Sequence, residues 1–92
     1  MDYILGSRGT GKSKQLLYLA QRNNGVVVSA NPRAMEQKAK DYNMDTSGME
    51  FAGYHALITP EALGDRKIYI DELEAFLKYI NPNIAGYNAS LE

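Results

Sequence analysis

Residues 6–13 read G-S-R-G-T-G-K-S, three glycines interleaved with small or polar residues and closed by Lys12-Ser13. A triphosphate carries several negative charges on closely spaced oxygens, so a loop that wraps it must aim many backbone N–H groups inward. Side chains obstruct the φ/ψ values this takes, and Gly6, Gly9 and Gly11 supply the missing freedom. A helix starting near Lys12 points the positive end of its dipole at the same oxygens. Lys12 is then placed to reach the β- and γ-phosphates as a point charge, and the Ser13 hydroxyl to ligate Mg²⁺. At about 7% glycine, about 6% lysine and about 12% serine plus threonine, such a match arises by chance in about 3 of 1,000 chains of this length. The flanking apolar strand and amphipathic helix lower that further, so a glycine-rich turn that merely contains Lys-Ser is the weaker reading.

A second constellation lies far downstream, where residues 67–74 read K-I-Y-I-D-E-L-E. An apolar run ends there on two adjacent carboxylates, Asp71 and Glu72. Mg²⁺ favours one or two carboxylates together with phosphate oxygens and water over an all-protein cage. The bland alternative is that these acids simply sit at a helix N-terminus, where the dipole favours them.

The elements that must position these groups are legible in outline. Tyr3, Ile4 and Leu5 form a short apolar run consistent with a buried parallel strand feeding the loop. From Lys12 the pattern turns helical, with Leu16, Leu17 and Ala20 on one stripe. Asn23-Asn24-Gly25 ends that helix, since Asn and Gly tolerate a left-handed C-terminal cap. Val26, Val27 and Val28 are all β-branched and read as a buried strand. Asn31-Pro32 reads as a cap followed by proline at the first helical position, and Met35, Ala39 and Tyr42 carry that helix to about Asp41. Residues 43–48 are loop-like, and residues 51–58 are equally compatible with a short strand and an irregular segment. Thr59-Pro60 repeats the cap-plus-proline signal, with Gly64 closing a one-turn helix. Ile68, Tyr69 and Ile70 form the next strand, and Leu73, Phe76, Leu77 and Ile80 the stripe of a helix that Asn81-Pro82 stops. Strands alternating with helices predict one α/β domain over residues 1–92, a small parallel sheet with helices packed on it in the order β-α-β-α-β-α.

The glycine-rich segment resembles the Walker A motif of P-loop nucleoside triphosphatases, and the strand–loop–helix over residues 2–22 fits that unit. The run ending in Asp71-Glu72 is similar to the Walker B motif. The resemblance implies an unusually small member of the additional-strand, RecA/AAA-like class, of the kind viruses encode. It also implies that Gly6, Ser7, Arg8, Gly9, Thr10, Gly11, Lys12 and Ser13 hold the nucleotide. Ser13 and Asp71 would then hold Mg²⁺, Asp71 in the outer shell, and Lys12 and Glu72 would act catalytically, Glu72 by orienting and polarising the attacking water. Glu72 fits the family pattern better than Glu74. The chain departs from that pattern after the acidic pair, where only some 20 residues remain and relatives carry two further strands. Either the tail supplies a short strand, or the two motif strands are neighbours, or another subunit completes the sheet.

Other residues carry weaker signals. His55 is the one histidine, and in an apolar segment it reads as packed before it reads as catalytic. Arg33 and Arg66 have the option of an arginine finger toward a neighbour, with a surface arginine the better reading. Tyr87 and Asn88 lie where a sensor residue could sit, without local support. Among the seven tyrosines, Tyr42 and Tyr69 fall on apolar patterns and read as core, not as base-stacking platforms.

Composition bounds the rest. The 92 residues are 45% hydrophobic and 23% charged, with a net charge of −1 and no cysteine, an ordinary globular balance. Nucleic-acid coating is not indicated by charge, and disulfides and cysteine metal sites are ruled out. Without a basic n-region or a long apolar run, the expected location is cytoplasmic, with no membrane partner. The Asn88-Ala89-Ser90 sequon is accidental in that setting. The expected function is Mg²⁺-dependent ATP binding with slow hydrolysis, aided by a homo-oligomer or protein partner that completes the site. ATP is preferred because no N-K-x-D guanine-reading motif is present. A second reading is a nucleotide-dependent binding module with little or no hydrolysis. A nucleotide kinase fits poorly, since four scattered arginines and no lid-length insertion are on offer.

Overall fold

The computed structural model describes residues 12–59 and 61–88. The strand expected at residues 3–5, the loop residues Gly6, Ser7, Arg8, Gly9, Thr10 and Gly11, Pro60, and the tail beyond residue 88 lie outside the described residues. Within them the chain runs α1 (Lys12–Arg22), β1 (Val26–Val28), α2 (Pro32–Asp41), β2 (Glu50–Ala52), a 3-10 helix (Tyr54–Ile58), β3 (Ile68–Ile70) and α3 (Leu73–Ile80).

The helix boundaries follow from their caps. Asn24 takes the left-handed conformation, at φ 51°. The Gly25 N–H donates to Ala20 O at 2.8 Å and the Asn24 N–H to Gln21 O at 3.3 Å, which is a Schellman closure with asparagine in the glycine position. The pattern recurs after α2: Asn43 is left-handed at φ 60°, with Met44 N–H on Ala39 O and Asn43 N–H on Lys40 O. At the front of α2 the Asn31 side chain accepts from the Ala34 N–H at 3.2 Å, with Pro32 in the first turn. Gly25 has a different task from the one its sequence suggests. A Cβ there would stand 2.6 Å from Tyr69 Cε2 and 2.9 Å from Lys67 O, so glycine is needed for close packing.

The three strands form one parallel sheet in the order β2-β1-β3, with Val28 level with both Ala52 and Ile70. Because successive side chains point to opposite faces, Val27 joins Leu16, Leu17 and Ala20 of α1, Met35 and Ala39 of α2, Met44 and Tyr69 on one side. Val26 and Val28 meet Tyr54 on the other, under Ala75 and Phe76 of α3. All three valines are fully buried, as a sheet covered on both faces requires. The result is a small α/β core, with helices on both sides of a three-stranded parallel sheet. No described helix is long and apolar enough to cross a membrane.

Several expectations need correction. Residues 61–65 form turns, not the one-turn helix read from Thr59-Pro60. The helical turn comes earlier, at Tyr54–Ile58, without a side-chain cap. The open segment at 51–58 resolves into β2 followed by that turn. The apolar stripe of α3 forms as a helix yet contains no fully buried residue, and Leu73 and Ile80 are exposed. Residues 83–88 form no strand.

Candidate functional site

Asp71 is the first residue past the end of β3, and its N–H still donates to Val28 O at 2.8 Å. The extended backbone therefore continues one step beyond the strand and sets its side chain on the same face as Tyr69, toward α1. Ser13 waits there in the first turn of α1, and its Oγ donates to Asp71 Oδ1 at 3.3 Å. That is looser than the usual O–H···O bond of about 2.7–2.8 Å. The two residues are 58 positions apart in the chain.

Burial pushes the Asp71 carboxyl above its ordinary range, and the neighbouring Glu72 carboxylate adds to this. The Ser13 hydrogen bond, Lys38 and Lys12 act in the opposite direction. Lys12 and Lys38 are thus both close enough for their charges to act on Asp71. A half-buried carboxylate that accepts from a hydroxyl offers hard oxygen donors of the kind Mg²⁺ takes. Among the described residues no group of three His, Cys, Asp or Glu side chains stands together, so a cation at Asp71 would depend on oxygens from Ser13, water and phosphate.

Glu72 follows Asp71 but is exposed and sits at the N-cap of α3 with φ 60° and ψ 71°, making no side-chain cap bond. Its left-handed backbone, unusual for a residue with a Cβ, redirects the chain from β3 into α3. The Phe76 N–H donates to Glu72 O at 3.2 Å. Tyr54, buried on the opposite face, pins this corner: its hydroxyl donates to Asp71 O at 2.8 Å and to Glu72 O at 3.2 Å. Burial, followed by the Asp71 and Glu72 charges, raises the Tyr54 phenol above its ordinary value, partly offset by the Ala30 backbone.

The structure thus brings Ser13 and Asp71 together with Lys12 and Glu72 nearby, while the loop residues Gly6 to Gly11 fall outside what is described. Three residues about Asp71 were not singled out by sequence: Tyr54, which holds its backbone oxygen, Lys38, whose charge acts on its carboxyl, and Ser29, its lateral neighbour by strand register. Their relation to Asp71 depends on strand register and on how α2 lies beside α1, which no local pattern encodes. Ser29 is 2% exposed, and its Oγ has no hydrogen-bond partner among the described residues.

His55 is placed otherwise than expected, whereas Arg66 is the surface arginine the sequence favoured, bound to its own chain. His55 is exposed, its Nδ1 3.5 Å from the Tyr79 hydroxyl, on a cleft of about 450 Å³ lined also by Ala30, Gly53, Tyr54 and Ala75. Packing is therefore not its role. Arg66 lies at the opposite, amino-terminal end of the sheet. Its guanidinium donates to Asn24 O, Gly25 O and Gly48 O and pairs with Glu50 at 3.0 Å, tying the starts of β1 and β2 together. Arg33 is exposed in the first turn of α2, and Tyr87 and Asn88 are exposed beyond α3. No family model, no curated protein and no solved structure matches this chain.

Proposed function

We propose that the chain is a reduced P-loop protein that binds ATP with Mg²⁺ and hydrolyses it slowly. The observation that carries this reading is the Ser13–Asp71 hydrogen bond. Two segments that sequence singled out for separate reasons, each for a metal-directed oxygen, meet at one point in space. A structural accident would have no cause to pair a hydroxyl in the first turn of α1, where the glycine-rich motif ends, with the carboxylate following a distant strand.

In this reading residues 6–11 and the start of α1 wrap the phosphates, and Lys12 offsets their charge. Ser13 and Asp71 would hold the cation, Asp71 from the outer shell, and it would supply neutralisation of the phosphate charge. Glu72 accepts a proton from the attacking water as its oxygen bonds to the γ-phosphorus. The bond from that phosphorus to the bridging oxygen breaks, and ADP departs with the electron pair. Catalysis of this kind is positioning plus electrostatics.

The alternative, nucleotide binding with little hydrolysis, draws on one observation: Glu72 is exposed, and a base not held in place orients water poorly. Thermal shift with ATP, GTP and ADP, with and without Mg²⁺, tests the common core, because a ligand specific for the native state stabilises it by RT ln(1 + [L]/Kd). A shift with ATP that Lys12→Ala abolishes is the expected result, and no shift with any nucleotide overturns the reading. Steady phosphate release that Glu72→Gln abolishes separates the ATPase from the binding module.

A further inference from the structure

Ser29 stands one residue past the end of β1, the central strand, and its N–H donates to Ala52 O at 3.0 Å, so the extended backbone continues through it. Val28 is level with Ile70, which makes Ser29 the lateral neighbour of Asp71. Val27 packs on the α1/α2 side of the sheet and Val28 on the other. By the two-residue period of a strand, Ser29 shares the face of Val27, and Asp71 the face of Tyr69. These are one and the same face, the one on which Ser13 reaches Asp71. Ser29 and Asp71, the residue Ser13 reaches, therefore stand side by side just past the carboxyl ends of β1 and β3.

Ser29 is 2% exposed, and its hydroxyl has no hydrogen-bond partner among the described residues. Nearly all buried polar groups are paired, so an exception calls for a partner that arrives with a ligand or water. Alanine would fill the same space without this cost, which sets Ser29 apart from a residue chosen for packing.

We propose that Ser29 is a positioning residue of the nucleotide site, whose hydroxyl gains its partner, a water shared with Asp71, when magnesium and nucleotide bind. This rests on the nucleotide-binding reading above and deepens it. Outer-shell partners of this type typically change metal affinity about 10–100-fold when removed. Removing a buried hydroxyl that has no protein partner, without changing shape, is neutral or stabilising.

The test compares wild type, Ser29→Ala and Ser29→Thr, the last restoring a hydroxyl. Each is melted without ligand and titrated with ATP in EDTA and in Mg²⁺. The wild-type titration reads the parent proposal alone: if ATP does not bind there, that proposal falls and this one with it. If ATP binds, the Ser29→Ala protein is expected to melt at or a few degrees above wild type, to keep its affinity in EDTA, and to lose about tenfold in Mg²⁺. Recovery in Ser29→Thr adds support. A Mg²⁺-dependent gain in Ser29→Ala equal to that of wild type overturns the inference, whatever its melting temperature.

Discussion

The Ser13 hydroxyl donates to the Asp71 carboxylate at 3.3 Å, joining the first turn of α1 to the end of β3. Nothing local holds these two together. The contact exists because β3 pairs with β1 in register and because α1 packs over Val27 and Tyr69 on the same face. The site is therefore only as well placed as the sheet beneath it.

Asp71 pays for its position in the empty protein. Its folded carboxyl is raised above the ordinary value of 3.8, first by burial and then by Glu72. The folded state then binds the proton more tightly than the unfolded chain does, so stability falls as pH rises through that window. The contribution is fully present below about pH 4 and lost above the raised folded value. Asp71→Asn, which keeps an acceptor for Ser13, is expected to melt higher than wild type at neutral pH. The difference should close as the pH is lowered toward 3.8, and thermal melts across pH check it. A gap that widens on acidification is the contrary result.

Glu72 combines an exposed side chain with a left-handed backbone at φ 60°. A side chain there costs about 1–2 kcal/mol relative to a right-handed position. Glu72→Gly should therefore stabilise the empty protein by up to about 1 kcal/mol, read by urea denaturation. Glu72→Gln leaves the backbone as it is. Under the proposed ATPase reading it should reduce ATP turnover by about 10²–10⁴-fold while binding persists. Equal turnover in Glu72→Gln and wild type would remove this residue from the chemistry.

Tyr54 reaches through the sheet edge to hold two successive carbonyls, those of Asp71 and Glu72. Tyr54→Phe preserves the ring that packs on Phe76 at 5.5 Å between centroids and deletes only the hydroxyl. The expected loss is about 1 kcal/mol of stability, with faster amide exchange at the start of α3. No change in exchange there would show that the corner holds itself.

Gly25 offers a prediction about the scaffold. The methyl group of Gly25→Ala would meet both the Tyr69 ring and the Lys67 carbonyl. Tyr69 cannot swing aside freely, since Asn23 Nδ2 donates to its hydroxyl at 2.6 Å. Overpacking of this kind costs about 1–3 kcal/mol, which in a domain of this size lowers the melting temperature by about 4–8 °C per kcal/mol. An unchanged melt would mean that β3 can move away from β1, and the carboxylate with it.

How far the sequence reveals all this depends on range. Asn31-Pro32 announces α2 because cap and proline act within one turn, and the Asn24 and Asn43 closures are equally local. Val26–Val28 announces a strand buried on both faces by being β-branched throughout. The segment Glu50–Ala52 gives no such signal, since its pairing comes from β1 and its first residue serves Arg66. Thr59-Pro60 misleads because cap chemistry alone does not make a helix without an apolar face to bury. Ser13 and Asp71 are both visible as residues of interest. Ser29 and Tyr54 are not, because their closeness to Asp71 is created by register.

The sheet order β2-β1-β3 places the earliest of these strands in the middle. Both of its partners lie far downstream, with Val26 waiting for Glu50 on one side and Ile68 on the other. Pairing of this kind is non-local and slow compared with helix formation. A growing chain therefore carries Ser13 well before it has a carboxylate for it to meet, since β3 is the last of the described strands to be made. A nascent or truncated chain ending short of residue 71 would present Ser13 without the carboxylate it meets, so this pair is completed late in synthesis and in a single step.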